Sequence, residues 1–139
     1  MAERLTDKNF QFDLVSPEKL LFSGEVNMAV IPGVAGDFGV LADHAPLLSS
    51  IRPGVVRLTM PDGEEQKVFI AGGFADVSDN VCAVLAEEAV DVATLDVDAL
   101  RQQVTEMKDD LSFAKDDPAK VAHIEEAIAL AEAKIAAAA

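Results

Sequence analysis

The stretch "IPGVAGDFGVLADHAPLL", from Ile31 to Leu48, gathers three glycines, two prolines, Asp37, Asp43 and His44. With Ser49 or Ser50 added, it has the composition of a Ser-His-Asp relay, in which an imidazole takes the hydroxyl proton and a carboxylate orients the ring. Such a relay also needs an exposed nucleophile on a G-x-S-x-G elbow and a second element supplying an oxyanion hole, and the sequence offers neither. Adjacent carboxylates occur at Glu64–Glu65, Glu87–Glu88, Asp109–Asp110 and Asp116–Asp117. Neighbours on a strand or helix point in different directions, so adjacency alone makes no shared acid–base site, and these pairs read as solvated charge. "GVAGDFG" spaces its glycines by three and three and opens no helix, so it is not a phosphate loop. Gly33, Gly36 and Gly39 read as serving positive φ or close backbone approach in a turn. One cysteine and two histidines supply no zinc set. Cys82 lies in an alternating apolar run and reads as a small buried hydrophobe. His123 reads as a boundary residue on a helix. The residues thus give no catalytic group and no metal ligand.

The elements that must carry these residues change period along the chain. From Phe10 to about Glu87 the apolar period is two. Phe10, Phe12 and Leu14 alternate with polar residues, and Val26, Met28 and Val30 are expected to repeat the pattern. "VVRLTM", "PDG" and "EEQKVFI" read as strand, turn and strand, and "FADV", "SDN" and "VCAVLA" read likewise. Short strands with frequent turns predict an antiparallel sandwich or barrel. From Thr94 the period becomes helical. Val97, Leu100, Val104, Met107 and Leu111 form one stripe, capped by Thr94 or Asp96. Asp117 and Pro118 are placed as N-cap and N1 of a second helix with the stripe Val121, Ile124, Ile128, Ala131 and Ile135. The predicted fold class is α+β: an N-terminal antiparallel β-sandwich, residues 1–89, followed by a C-terminal antiparallel two-helix hairpin, residues 90–139. The second helix is alanine-rich, which gives propensity but little buried area, so the hairpin is expected to lean on the sandwich or on a partner.

Charge narrows the partners. The 139 residues carry a formal charge of -14. Residues 1–89 hold 6 basic and 14 acidic groups, and residues 90–139 hold 5 and 11. Such a surface disfavours nucleic acid and anionic lipid, so partners should be proteins with basic patches. No apolar run is long enough for a membrane span, and "MAERLTDKNF" resembles no leader, so the chain reads as soluble and intracellular, without direct lipid insertion.

The stretches "FDLVSPEKLLFSGEVNMAVIPGVAGDFGVLADHAPLLSSIRPGVVRL" and "FIAGGFADVSDNVCAVLAEEA" resemble the epsilon subunit of bacterial-type F-type ATP synthases, called delta in mitochondria. The resemblance spans the whole chain. It implies a non-catalytic central-stalk subunit that links gamma to the c-ring, peripheral on the cytoplasmic face of the bacterial inner membrane or its organelle equivalent. Val34, Ala35 and Asp37 match the family's contact with the polar loops of the c-ring, with Asp37 as acceptor for a basic ring residue. Ala35 stands where many relatives carry an acid. His44, Ala45, Pro46, Leu47 and Leu48 match the face that packs on gamma, with a structural hydrogen bond from His44 as the alternative. Some relatives bind ATP through an aliphatic residue followed by D-x-x-R-A at the start of the first tail helix. Here Val97 is followed by Asp98 and Arg101, but Gln102 replaces the alanine, and a surface ion pair between Asp98 and Arg101 is the favoured reading. No cofactor is therefore expected. ATP binding to the hairpin is not favoured, and contact of the hairpin with the alpha and beta subunits is expected to inhibit only weakly. Two rivals remain from the residues themselves: a free-standing regulatory module holding a small ligand between hairpin and sandwich, and a hydrolase centred on His44 or the carboxylates.

Overall fold

The computed structural model describes residues 8–138; the leader reading of residues 1–7 lies outside them. The strands are β1 (Phe10–Val15), β2 (Leu20–Val26), β3 (Met28–Gly33), β4 (Gly36–Val40), β5 (Leu47–Ile51), β6 (Gly54–Thr59), β7 (Glu65–Ile70), β8 (Gly73–Ser78), β9 (Val81–Ala86) and β10 (Ala89–Asp91). A 3₁₀ turn, Val92–Thr94, precedes helices α1 (Val97–Phe113) and α2 (Pro118–Ala138). The chain divides into two compact units at the Val90–Asp91 bond.

In the first unit, β2, β1, β9, β8 and β5 follow one another in one layer, and β10, β7, β6, β3 and β4 in the other. The layers join where β3 meets β5 at a single register pair, Gly33–Ile51. Alternation places Phe10, Phe12, Leu14, Val56, Leu58, Cys82 and Val84 in a shared core. Phe12 is fully buried, which contributes about 1.5–3 kcal/mol on its own. With no Trp or Tyr in the chain, phenylalanine and aliphatic side chains fill this space.

Two details depart from the sequence reading. Beside the antiparallel pairs expected, β1 and β9 pair in parallel from Gln11–Val81 to Val15–Leu85. No hairpin joins these strands; seven others intervene in sequence, so the antiparallel constraint of a tight turn does not apply to them. The expected alternation of Val26, Met28 and Val30 also breaks. Val26 ends β2 facing the core, Asn27 bends the chain, and β3 then turns Ala29 and Ile31 inward, leaving Met28 and Val30 half-buried. Asn27 is itself buried, and its amide donates to Lys8 O and Asn9 Oδ1. One inserted residue shifts the phase of every later side chain.

In the second unit, Asp96 caps α1 by accepting from the Ala99 N–H at 3.1 Å. Asp117 accepts from the Lys120 N–H at 3.2 Å ahead of Pro118. Leu100, Val104, Ala114, Ile124, Ile128 and Ala131 form the seam between the helices, with Leu95, Met107, Leu111, Val121 and Ile135 at its margins. His123 is exposed.

Candidate functional site

The stretch Ile31–Leu48 is not a loop throughout. Its first part is the β3–β4 hairpin, paired from Ala29–Val40 to Gly33–Gly36, so Val34 and Ala35 are its two-residue tip. Both are exposed, Val34 to 62%. Gly36 holds φ at +134°, which an L side chain rarely adopts. A Cβ on Gly33 would lie 2.8 Å from Gly36 O and 3.0 Å from Phe38. These two glycines serve as expected. Gly39 does not: it has no positive φ and no heavy atom within 4 Å of an added Cβ, so it is an ordinary exposed strand position.

The tip is bolted to the corner between β5 and β6. Val34 N–H donates to Ser50 O at 3.1 Å, and Arg52 N–H donates to Pro32 O at 3.0 Å. The Arg52 guanidinium forks, with Nη1 donating to Gly33 O at 2.8 Å and Nη2 to Asp37 Oδ1 at 2.6 Å. Asp37, expected as an open acceptor for a basic partner residue, thus already holds an internal cation. Charge-assisted pairs of this length are the stronger hydrogen bonds, although both groups here remain about half exposed.

The second cluster sits at the other end of β5. Asp43 adopts φ 63°, and its N–H donates to Asn80 Oδ1 at 2.5 Å. Asn80 Nδ2 returns a bond to Asp43 Oδ1 at 3.1 Å, and Lys8 Nζ reaches Asp43 Oδ2 at 2.9 Å. Hydrogen bonds from Lys8 and Asn80 hold the Asp43 carboxyl below its ordinary range, and the same pairing raises the Lys8 ammonium. Asn80 closes the two-residue β8–β9 turn, where Asp79 (φ 49°) and Asn80 (φ 60°) both take the left-handed conformation that suits a type I′ hairpin. His44 Nδ1 lies 2.6 Å from Ala45 O, so that nitrogen carries a proton, and His44 N–H donates to Leu41 O. This is the loop-holding bond offered as the alternative for His44. Ala45, Pro46, Leu47 and Leu48 are exposed, Leu48 to 71%. Ser49 Oγ donates to Ser50 O rather than toward His44, so no nucleophilic relay forms. Leu48 itself pairs with the exposed Asp76. One register level on, Phe74, Leu85, Val15 and Leu20 follow one another on adjacent strands.

Comparison with known proteins bears on the family to which the chain belongs. The family described as "ATP synthase, Delta/Epsilon chain, beta-sandwich domain" matches residues 9–92. The ATP synthase epsilon chain of Rhodospirillum rubrum is 46% identical over 127 residues, covering 91% of this chain and 94% of the relative. That of Parvibaculum lavamentivorans is 44% identical, covering 90% and 91%. The chain belongs to the ATP synthase delta/epsilon family. It is accordingly a non-catalytic accessory subunit of the ATP synthase. Its fold is similar to a chain in the cryo-EM structure of the Euglena gracilis mitochondrial ATP synthase, OSCP/F1/c-ring, with a TM-score of 0.81 at 24% identity over 97% of this chain and 88% of that one.

In this delta/epsilon chain the helical unit departs from expectation at Asp98 and Arg101. Both are exposed on α1, but among the described residues they form no ion pair; the pairs present are Lys8–Asp43, Arg52–Asp37 and Lys67–Glu65. At positions three apart, side chains of this length meet only in some rotamers, and water competes for both. Arg101 instead lines a groove of about 390 Å³ with Val104, Thr105, Glu132, Ile135 and Ala136. The groove's charged lining is thus one arginine and one glutamate.

Sequence reasoning missed Arg52 and Lys8, and it read Asn80 only as part of the "SDN" turn, without its bonds to Asp43. Arg52 carried a signal: it precedes Pro53, which biases its backbone toward an extended conformation at a strand junction. Asn80 carried one too, since Asp79-Asn80 between alternating runs suits a left-handed turn. Lys8 carried none.

Proposed function

We propose that this delta/epsilon chain works in the central stalk, its sandwich held between gamma and the c-ring, so that proton-driven ring rotation reaches the catalytic head. The observation that carries the reading is the placement of the two clusters at opposite ends of one strand. Ile51 pairs with Gly33 beneath the tip, whereas Leu47 pairs with Val77 beside the Asp43–Asn80 clamp. Four steps of strand separate them by roughly 13 Å at ~3.3 Å per residue. A rigid sandwich can thus offer Val34–Ala35 to the ring and His44–Leu48 to gamma without one contact obstructing the other. The chain is then peripheral on the cytoplasmic face of the membrane; among the described residues no helix is long and apolar enough to cross it. The helical hairpin is a poor ATP binder and a weak inhibitor through alpha and beta. Its acidic excess and the Arg101–Glu132 groove both support this.

Reconstitution with gamma and the ring tests the assignment. V34R/A35R should release the ring while gamma stays bound, and L48D should release gamma. A complex that keeps both partners with all three changes would overturn the reading. Removal of residues 92–139 should leave ATP hydrolysis nearly unchanged. The cut is placed after Asp91 because β10 belongs to the sheet; strong activation would refute weak inhibition.

A further inference from the structure

Between Ile31 and Val40 the sole charged residue is Asp37, and Arg52 covers it. The same guanidinium holds Gly33 O, so one side chain grips both strands of the β3–β4 hairpin at its last two register levels, Pro32–Asp37 and Gly33–Gly36. Backbone bonds from Val34 to Ser50 and from Arg52 to Pro32 fix the fork from below. What protrudes is Val34 and Ala35, apolar and uncharged, on a chain whose net charge is -14.

We propose that Arg52 is a positioning and specificity residue for the tip. It cancels the one formal charge at the tip and sets the direction of Val34–Ala35, so the tip engages its partner by apolar fit rather than through a carboxylate. Asp37 is in this view a ligand of Arg52 before it is a ligand of anything else. An acid at position 35 would add a charge that Arg52, already shared between Asp37 and Gly33 O, is not placed to cancel. Ala35 and Arg52 therefore belong to one solution. A tip of this kind needs no oppositely charged residue on the loop it touches, and its grip does not weaken as salt rises.

This role presupposes the tip-to-ring contact proposed above, and the test separates the two. Complexes reconstituted with the full chain are washed at about 20 mM and about 300 mM salt, which changes screening severalfold, and the ring retained is measured. The parent should change by less than about 1.5-fold between the two washes. R52Q, which unmasks Asp37, should change by about threefold or more. R52Q/D37N should return to the flat response, a rescue that a merely structural role for Arg52 would not produce. R52K keeps the charge without the fork and should also stay flat, while exchange of the Val34 amide quickens. A flat response in R52Q, or failure of the double variant to restore flatness, would overturn the role of Arg52. Retention of the ring by V34R/A35R would instead overturn the tip-to-ring contact.

Discussion

Gly73 is the position where the sandwich leaves least room. Its φ is +142°, and a Cβ there would lie 1.8 Å from Leu85 O, 2.9 Å from Leu85 C and 3.1 Å from Ala86 Cα. Those atoms are backbone of β9, the strand that Gly73 pairs with through Ala86. No rotamer change relieves the clash: either φ leaves its native region or β8 and β9 part at that end. Holding an L residue in such a region costs about 1–3 kcal/mol. Parting the strands forfeits one or two ladder hydrogen bonds at about 1 kcal/mol each. Gly73→Ala should therefore cost about 3 kcal/mol, a large share of the roughly 5–15 kcal/mol that typical domains possess. Gly39→Ala is the control. Nothing lies within 4 Å and φ is not positive, so it should be neutral or should stabilise by about 0.4–1 kcal/mol through the unfolded chain. Urea unfolding of the full chain measures both, with reaction of the buried Cys82 thiol reporting the sandwich and far-UV circular dichroism dominated by the helices. At an m-value of about 2 kcal/mol/M, G73A should lower the thiol midpoint by about 1.5 M. A midpoint within about 0.3 M of the parent, or an equal loss in G39A, would refute the close-approach reasoning.

Cys82 should resist thiol reagents in the native chain at pH 8, because burial, then Asp76 and Asp13, push its pKa up to about 12; rapid labelling without denaturant would contradict this. Ile128→Ala removes a buried side chain from the helix seam, where Ala131 and Ala114 are too small to fill the space. It should cost about 2–4 kcal/mol and lower the circular-dichroism midpoint, and an unchanged midpoint would refute the seam. The Asp43 carboxyl is held low in the folded chain, so its contribution is present above the ordinary value near 4 and fades as pH falls through the lower folded value. Lys8 is raised, so its contribution is present below about 10.4 and fades above it. D43N should accordingly flatten the dependence of the sandwich midpoint on pH below about 4, and an unchanged slope would argue against the clamp.

Local periodicity exposed most of the fold because each element here has one buried side. Phe10, Phe12 and Leu14 alternate since β1 packs only one face on the core, and Leu100 and Val104 step helically because α1 does the same. Caps were legible for a similar reason: Asp96 and Asp117 bond groups three residues away. What escaped depends on separation along the chain. The parallel pairing of β1 with β9 joins residues 70 positions apart, from Gln11 to Val81, and nothing local marks its direction. Asn27 escaped differently, since a single bend residue looks like one more strand position until the phase after it is compared with the phase before.

The candidate site divides along the same line. Its protruding residues, Val34, Ala35, Leu47 and Leu48, were recoverable from the matching motif. The groups that hold them were not, because Arg52 lies 15 and 19 positions from Asp37 and Gly33, and Asn80 lies 37 from Asp43. Reading Asp37 alone suggested an acceptor waiting for a basic partner; placing Arg52 beside it removes most of that electrostatic demand. The two supports also differ in kind. Arg52 acts through a charge that a partner could replace, whereas Asn80 acts through a left-handed backbone and a reciprocal amide pair that no partner supplies. Loss of Arg52 should therefore change what the tip prefers to touch. Loss of Asn80 should instead loosen the Asp43–His44 loop itself, whatever lies against it.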